Sequence, residues 1–269
     1  MAGAGRLLIS PEIRASGSSA PPRPLRVSLF ATCLGDHFFA EALADTVRLL
    51  RHLGVEVDVP AGQSCCGQPP FNSGYLDEAR KMARSTLAVL DGQPAVVAPS
   101  GSCAAMIRHH YPRILRDTDM GDAADALAAR TWELAEFLVD VMGVEHLGSG
   151  LTGSRVAVHH GCHGLRDLGV RSQSVQLLQG GGAEVVEWSA AEECCGFGGT
   201  FSAKMSAVSV AMADRKLDTL PAVDVLTSSD PGCLLQLAGR ARNRARSRTP
   251  EIPVRHIASL LWEAVDAGH

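Results

Sequence analysis

The segment SCCGQPPF at residues 64–71 recurs as ECCGFGGTF at residues 193–201. Each copy places two adjacent cysteines and a glycine beside a turn rich in Gly or Pro. A further cysteine precedes each pair by 31 intervening residues, and another follows each glycine after 35 or 36 residues. The eight cysteines are Cys33, Cys65, Cys66, Cys103, Cys162, Cys194, Cys195 and Cys233. Each cysteine of the second set lies 129 or 130 residues after its counterpart, so the chain contains an internal duplication.

Alternating strand and helix patterns surround the cysteines in both copies. In the first copy, apolar periodicity predicts strands at 26–31, 55–59 and 95–98 and helices at 39–53 and 76–90. In the second copy, it predicts strands at 155–159, 183–187 and 223–226 and helices around 175–178, at 201–217 and at 234–244. A similar amphipathic segment closes each copy, at 132–141 and 256–265. The alternation predicts an α/β fold of two pseudo-symmetric repeats, each with a small parallel sheet flanked by helices.

On this pattern, every cysteine follows the carboxyl end of a predicted strand. Open α/β sheets gather their ligand sites at that edge, so the four thiols of each copy are expected to form one site. Gly67 and Gly196 follow the cysteine pairs and allow turns in which both sulfurs face inward.

The repeats suggest a first module at 26–145 and a second module at 153–268. Residues 1–25 are rich in Ala, Gly, Ser, Pro and Arg and are expected to form a disordered tail. They lack the apolar stretch of a secretory signal, so we expect a cytoplasmic protein whose thiols are reduced.

Composition argues against several classes of function. A net charge of −4 gives no cationic field for a phosphate backbone, so nucleic acid is not an expected partner. No apolar run approaches the roughly 20 residues of a membrane-spanning helix. The run Gly180-Gly181-Gly182 precedes a predicted strand and is read as a helix stop, not as a dinucleotide loop.

Four thiolates per module can bind a [4Fe-4S] cluster or one tetrahedral zinc ion. Structural zinc sites usually take their cysteines as close pairs, whereas here each module has one local pair and two distant cysteines, which favours a cluster. Helices expected to begin near Cys33, Cys103 and their counterparts would direct positive N-terminal ends at an anionic cluster. Inert buried thiols, and a thiol-disulfide enzyme that uses the vicinal cysteines, remain alternatives.

The doubled cysteine pattern resembles the cysteine-rich CCG domain family over residues 26–265. That family includes a subunit of heterodisulfide reductase and the iron-sulfur subunits of glycolate and glycerol-3-phosphate dehydrogenases. Within it, the segment Ser100-Gly101-Ser102-Cys103 and the segment 194–201 are most similar to a subunit of a lactate-oxidising system.

The resemblance implies an iron-sulfur electron-transfer subunit of a dehydrogenase complex that oxidises L-lactate to pyruvate. Its implied partners are a separate ferredoxin-like iron-sulfur subunit and a third subunit. A subunit of a related glycolate or heterodisulfide oxidoreductase, or a zinc-stabilised scaffold, is the alternative.

Two features of the sequence modify this expectation. The family's fullest motif ends in Cys-x-x-Cys, but Ser100 and Asp230 occupy the first of those positions, which argues against noncubane clusters. Both residue types are also common in turns and helix N-caps. His159, His160 and His163 flank Cys162 and could donate hydrogen bonds to sulfur, relay protons or replace a ligand; a packed role without ligation is equally open.

Overall fold

The computed structural model describes residues 26–245 and 252–266. Residues 1–25, for which the sequence predicts a disordered tail, lie outside the described residues.

Two parallel four-stranded sheets form the framework of the molecule. The first sheet contains β1 (Arg26–Leu29), β2 (Glu56–Asp58), β3 (Ala95–Ala98) and β4 (Thr131–Glu133) in the order β2-β1-β3-β4. The second sheet contains β5 (Arg155–Val158), β6 (Glu184–Val185), β7 (Val225–Ser228) and β8 (Val254–His256) in the order β6-β5-β7-β8. Val27 pairs with Val57 and Ala95 as Val156 pairs with Val185 and Val225, so the two sheets share their register. The predicted α/β fold of two pseudo-symmetric repeats is confirmed.

Helices connect and flank the strands. The first repeat contains α1 (Cys33–Phe38), α2 (Ala40–His52), α3 (Gln68–Asn72), α4 (Leu76–Leu90), α5 (Gly101–Ala105), α6 (Tyr111–Leu115), α7 (Gly121–Ala128) and α8 (Leu134–Glu136). π-Helical turns, Met106–His110 and Phe137–Val141, follow α5 and α8. The second repeat contains α9 (Cys162–Arg166), α10 (Gln173–Gly180), α11 (Thr200–Lys204), α12 (Ser206–Asp218), α13 (Pro231–Ala245) and α14 (Ile257–Asp266). None of these helices, which cover only the described residues, has the length and apolar character needed to cross a membrane.

The structure departs from the predicted elements in two places. The closing segments 132–141 and 256–265 each begin with the end of a fourth strand, which the sequence pattern did not separate from the helix. In β4 the two buried residues are Thr131 and Glu133, so the strand lacks the apolar alternation that marks a half-buried strand. The helix predicted at 201–217 is interrupted at Met205, where α11 ends and α12 begins.

A shared hydrophobic core joins the two repeats. Helix α2 of the first repeat packs against α14 of the second, and Leu49 and Leu50 are buried in the same cluster as Leu260 and Leu261. The outer face of each sheet has a separate core, which contains Cys66 and Cys103 in the first repeat and Cys195 and Cys233 in the second. The shared core fixes one repeat against the other and thereby sets the geometry of the cleft between them.

Candidate metal centre

The four thiols of the first repeat lie near one another at the carboxyl edge of their sheet. Cys33 is the first residue of α1, Cys65 and Cys66 precede α3, and Cys103 lies in the first turn of α5. The sulfur of Cys66 lies 3.4 Å from that of Cys103, and Cys65 interacts electrostatically with both Cys33 and Cys66. The four sulfurs therefore form one continuous cluster, as the strand positions predict.

The second repeat builds the same arrangement. Cys162 is the first residue of α9, Cys194 and Cys195 lie in the loop before α11, and Cys233 lies in the first turn of α13. Cys194 interacts electrostatically with Cys162 and Cys195, and the sulfurs of Cys195 and Cys233 lie within 4.8 Å of each other. Backbone amides of Gly196 and Phe197 point at the sulfurs of Cys194 and Cys195, at 3.4 and 3.5 Å.

Both clusters open into the same space. All eight cysteines line a cavity of about 370 Å³ between the repeats. Ser100, His163, Phe197 and Asp230 also line it. Its volume falls in the range of roughly 300–1,000 Å³ that is typical of small-molecule and cofactor sites.

The glycine after each cysteine pair is required by the backbone. Gly67 and Gly196 have φ angles of 85° and 86°, in the left-handed region that disfavours residues with a side chain. A Cβ atom at Gly196 would lie 2.6 Å from the carbonyl oxygen of Ser209 on α12. Hydrogen bonds brace the same loops: Tyr111 donates to the Cys66 carbonyl at 2.8 Å, and the Ser209 hydroxyl donates to the Gly196 carbonyl at 2.8 Å.

The electrostatics of the thiols suit a cationic occupant. Hydrogen bonds from Cys33 and Cys66 lower the pKa of Cys65 to about 3. The bond to Cys65, together with burial, raises the pKa of Cys33, and the bond to Cys103 is the main cause of the raised pKa of Cys66. Neighbouring thiols cannot all ionise while no positive charge balances them. A metal ion or iron-sulfur cluster removes this restriction, so the donor set fits such a group in both repeats.

Ser100 and Asp230 occupy equivalent positions in the two repeats, three residues before Cys103 and Cys233. The Ser100 hydroxyl donates to the Asp230 carboxylate at 3.1 Å, and the backbone amide of Ser102 donates to the same oxygen at 2.8 Å. Ser100 is also the N-cap of α5, as its residue type predicts. These two residues connect the repeats, a role for which the sequence offered no signal.

The three histidines around Cys162 occupy different environments. His159 is buried, and one of its ring nitrogens lies within 4.8 Å of the sulfurs of Cys195 and Cys233. His163 lines the cavity and bonds to Asp167 at 2.7 Å. His160 is half-buried, and neither it nor His159 lines the cavity.

A buried lysine near the second cluster was not identified from the sequence. The ammonium group of Lys216 donates to the carbonyls of Ala190 and Ala191 and lies 4.1 Å from the centre of the Trp188 ring. Burial lowers its pKa to about 8, against the opposing charge of the cysteines. Helical spacing could have indicated its burial, because Lys216 follows Ser209 and Ala213 at intervals that place all three on the buried face of α12.

The similarity to known proteins covers most of the chain. The cysteine-rich domain CCG matches residues 27–108 and 156–238. Lactate utilization protein A of Geobacillus kaustophilus (strain HTA426) is 45% identical over 241 residues, which are 88% of this chain and 98% of that protein. Lactate utilization protein A of Geobacillus sp. (strain WCH70) is 43% identical over 88% of this chain and 99% of that protein. Lactate utilization protein A 2 of Bacillus cereus (strain Q1) is 39% identical over 88% and 98%, respectively.

A solved structure shares the fold at low identity. The crystal structure of a hypothetical protein from Helicobacter pylori has a TM-score of 0.66 and 10% identity, over 91% of this chain and 49% of that chain. At this identity the likeness concerns the fold alone. The two domain matches and the relatives that align over nearly their full length are similarities of sequence. The chain therefore belongs to the lactate utilization protein A family of proteins with cysteine-rich CCG domains.

Proposed function

We propose that the chain is the iron-sulfur electron-transfer subunit of a cytoplasmic system that oxidises L-lactate to pyruvate. Each repeat binds one iron-sulfur cluster, of the [4Fe-4S] type, through its four cysteines. The partners are a ferredoxin-like iron-sulfur subunit and a third subunit. The lactate substrate is supported by the names of the relatives, and the electron-transfer role is supported by the thiol clusters.

The observation that carries the proposal is the convergence of all eight cysteines on one cavity. A single metal ion needs no such space, because its ligands close around a point. A cluster needs room for its inorganic core among the thiolates. The common cavity also supports the exchange of electrons between the two centres, because cysteines of both repeats line it.

When bound, the clusters would accept and release single electrons. The chain's own residues hold the thiolates in place and bury one cysteine of each vicinal pair together with the last cysteine of each repeat. Cys33, Cys103, Cys162 and Cys233 lie in the first turns of helices, where the helix dipole stabilises negative charge. The glycine-dependent loops present the vicinal sulfurs to the cavity, and in the second repeat the loop's amide groups hydrogen-bond to sulfur.

One distance favours a second candidate, a zinc-stabilised scaffold. Zinc-sulfur bonds of about 2.3 Å in a tetrahedron place the sulfurs about 3.8 Å apart. The 3.4 Å between the sulfurs of Cys66 and Cys103 is closer to that spacing than to the wider separation of thiolates bound around a larger cluster. The zinc candidate leaves the cavity without an occupant, which is why we rank it second.

Paired cysteine variants test the metal assignment. Cys66→Ala and Cys195→Ala, purified without oxygen, are each expected to lose half of the iron and acid-labile sulfide of the unmodified protein. Ser85→Ala, on α4 away from the cavity, is the matched control and is expected to keep both clusters. Stoichiometric zinc without sulfide would refute the cluster assignment.

The substrate is tested by reconstitution with the two partner proteins. L-Lactate is expected to bleach the visible absorption of this chain's clusters only when both partners are present. Glycolate and glycerol 3-phosphate serve as competing substrates in the same assay. Bleaching by glycolate and not by lactate would move the chain to the related glycolate-oxidising systems.

A further inference from the structure

We propose that His159 is a ligand of the metal centre in the second repeat and binds through Nε2, whereas the centre in the first repeat has thiolate ligands alone. The inference rests on the proposed metal binding and specifies its chemistry. It makes the two centres different despite their matching cysteines.

The position of His159 brings its ring to the second cluster. His159 directly follows β5, and its backbone amide bonds to the Thr227 carbonyl at 2.7 Å, which extends the pairing with β7. The side chain is 1% exposed. A ring nitrogen and the sulfurs of Cys195 and Cys233 lie within 4.8 Å of one another, an arrangement that can surround a metal ion.

The hydrogen bond on the other side of the ring fixes its tautomer. Nδ1 lies 3.2 Å from the carbonyl oxygen of Ala191, which can only accept, so Nδ1 carries the proton. In a neutral imidazole, Nε2 then has a free lone pair. Metal-binding histidines commonly donate the other N–H to a backbone carbonyl in this way.

Nε2 itself lacks a partner in the described part of the chain. It is one of two buried side-chain polar atoms there without a hydrogen bond. Buried polar atoms are nearly always paired, so an unpaired one calls for an explanation. The nearby cation, Lys216, is directed at the carbonyls of Ala190 and Ala191. A metal at the sulfurs of Cys195 and Cys233 would satisfy Nε2.

The first repeat provides the comparison. The residue equivalent to His159 is Phe30, 129 residues earlier, which also directly follows its strand. Its amide bonds to the Val97 carbonyl at 2.9 Å, the counterpart of the bond from His159 to Thr227. Phe30 is fully buried and has no atom that can bind a metal. In the described part of the chain, the first centre therefore has its four thiols as donors. The second has five donors for the four irons of a [4Fe-4S] cluster, so the imidazole takes the place of one thiolate and leaves one thiol off the cluster.

The difference has an electrochemical consequence. Imidazole is neutral, and replacing thiolate by imidazole on an iron raises the reduction potential of the centre. The second centre is thus the more oxidising of the two, and an electron that enters the chain resides there at equilibrium. A tenfold preference corresponds to a 59 mV difference for a one-electron couple.

The test uses full-length protein labelled with ¹⁵N-histidine and carrying Cys66→Ala, so that only the second centre remains. Pulsed EPR of the reduced cluster is expected to show a strongly coupled histidine nitrogen. His159→Phe, which copies the first repeat, is expected to lose that coupling and to shift the midpoint potential negative by at least the tenfold equivalent. His160→Phe alters the adjacent histidine, which is not grouped with the sulfurs of Cys195 and Cys233, and is expected to change neither.

The outcomes separate the ligand assignment from the proposed function. Iron and sulfide with no histidine coupling, and an unchanged potential in His159→Phe, would refute His159 as a ligand and leave the clusters standing. Zinc in place of iron and sulfide would refute the proposed function. In that case, X-ray absorption at the zinc edge counts nitrogen ligands: loss of one nitrogen in His159→Phe supports the assignment, and a sulfur-only shell in the unmodified protein overturns it.

Discussion

Removing the Asp230 carboxylate is expected to weaken the connection between the two repeats. Its Oδ1 accepts from the Ser100 hydroxyl at 3.1 Å and from the Ser102 amide at 2.8 Å, and both donors belong to the first repeat. Asp230 and Ser100 are 3% and 1% exposed, so water does not readily replace the lost acceptor in Asp230→Ala.

Each hydrogen bond to a charged group contributes about 1.5–3 kcal/mol, and two bonds to one oxygen are not fully additive. We therefore expect Asp230→Ala to reduce the free energy of unfolding by about 3 kcal/mol. At 2–4 °C per kcal/mol, the melting temperature falls by roughly 6–12 °C. Asp230→Asn keeps an acceptor oxygen but loses the charge, and neutral bonds are about half as strong, so its loss is about half as large.

Thermal unfolding followed by circular dichroism, on protein kept free of oxygen, measures both changes. Ser100→Ala adds a check, because it removes one of the two bonds and an N-cap, together worth at least about 2 kcal/mol. If Asp230→Ala melted within 2 °C of the unmodified protein, the carboxylate would not connect the repeats in solution, and the reasoning would be wrong.

Three further predictions concern the loops and a buried carboxyl. Gly196→Ala is expected to lower the free energy of unfolding by about 3 kcal/mol and to deplete the second centre of metal, since its left-handed backbone and close contact both penalise a Cβ. The control Gly74→Ala has a φ of 83° and open space around the added Cβ. It should lower the free energy of unfolding by only about 1 kcal/mol and leave the metal content unchanged. Tyr111→Phe removes the hydrogen bond to the Cys66 carbonyl and should lower the free energy of unfolding by about 1–2 kcal/mol in urea titrations, with no effect expected at the second centre. Burial raises the pKa of Glu133 from 4.5 to about 7, so between these pH values the folded state holds a proton that the unfolded state releases. The contribution of Glu133 to the free energy of unfolding is therefore complete below pH 4.5 and is lost as the pH rises through 7. Glu133→Gln should flatten that part of the pH profile of the unfolding free energy, and an unchanged slope would assign it to other groups.

The sequence predicts the architecture well where the pattern is apolar and repeated. Helix 76–90 and strand 95–98 match α4 and β3, because their buried positions carry the expected spacing. The strand β4 escapes prediction because its buried residues, Thr131 and Glu133, are polar. The limits proposed for the modules, 26–145 and 153–268, remain predictions.

The candidate site could likewise be predicted from the sequence only in part. Cysteine spacing suffices to predict two four-thiol clusters, because parallel strands end at one edge of a sheet. The contact of Ser100 with Asp230 depends on how the two repeats pack, which no local pattern encodes. His159 is adjacent to a predicted strand end, but its choice between a packed and a ligating role depends on the Ala191 carbonyl, 32 residues away.

The central claim is that the eight cysteines hold iron-sulfur clusters. The most direct test measures iron, zinc and acid-labile sulfide in protein purified without oxygen, together with EPR of the dithionite-reduced form. Iron and sulfide in equal amounts, with a signal from a reduced cluster, are the expected result. Stoichiometric zinc without sulfide, or protein free of metal that still transfers electrons, would contradict it.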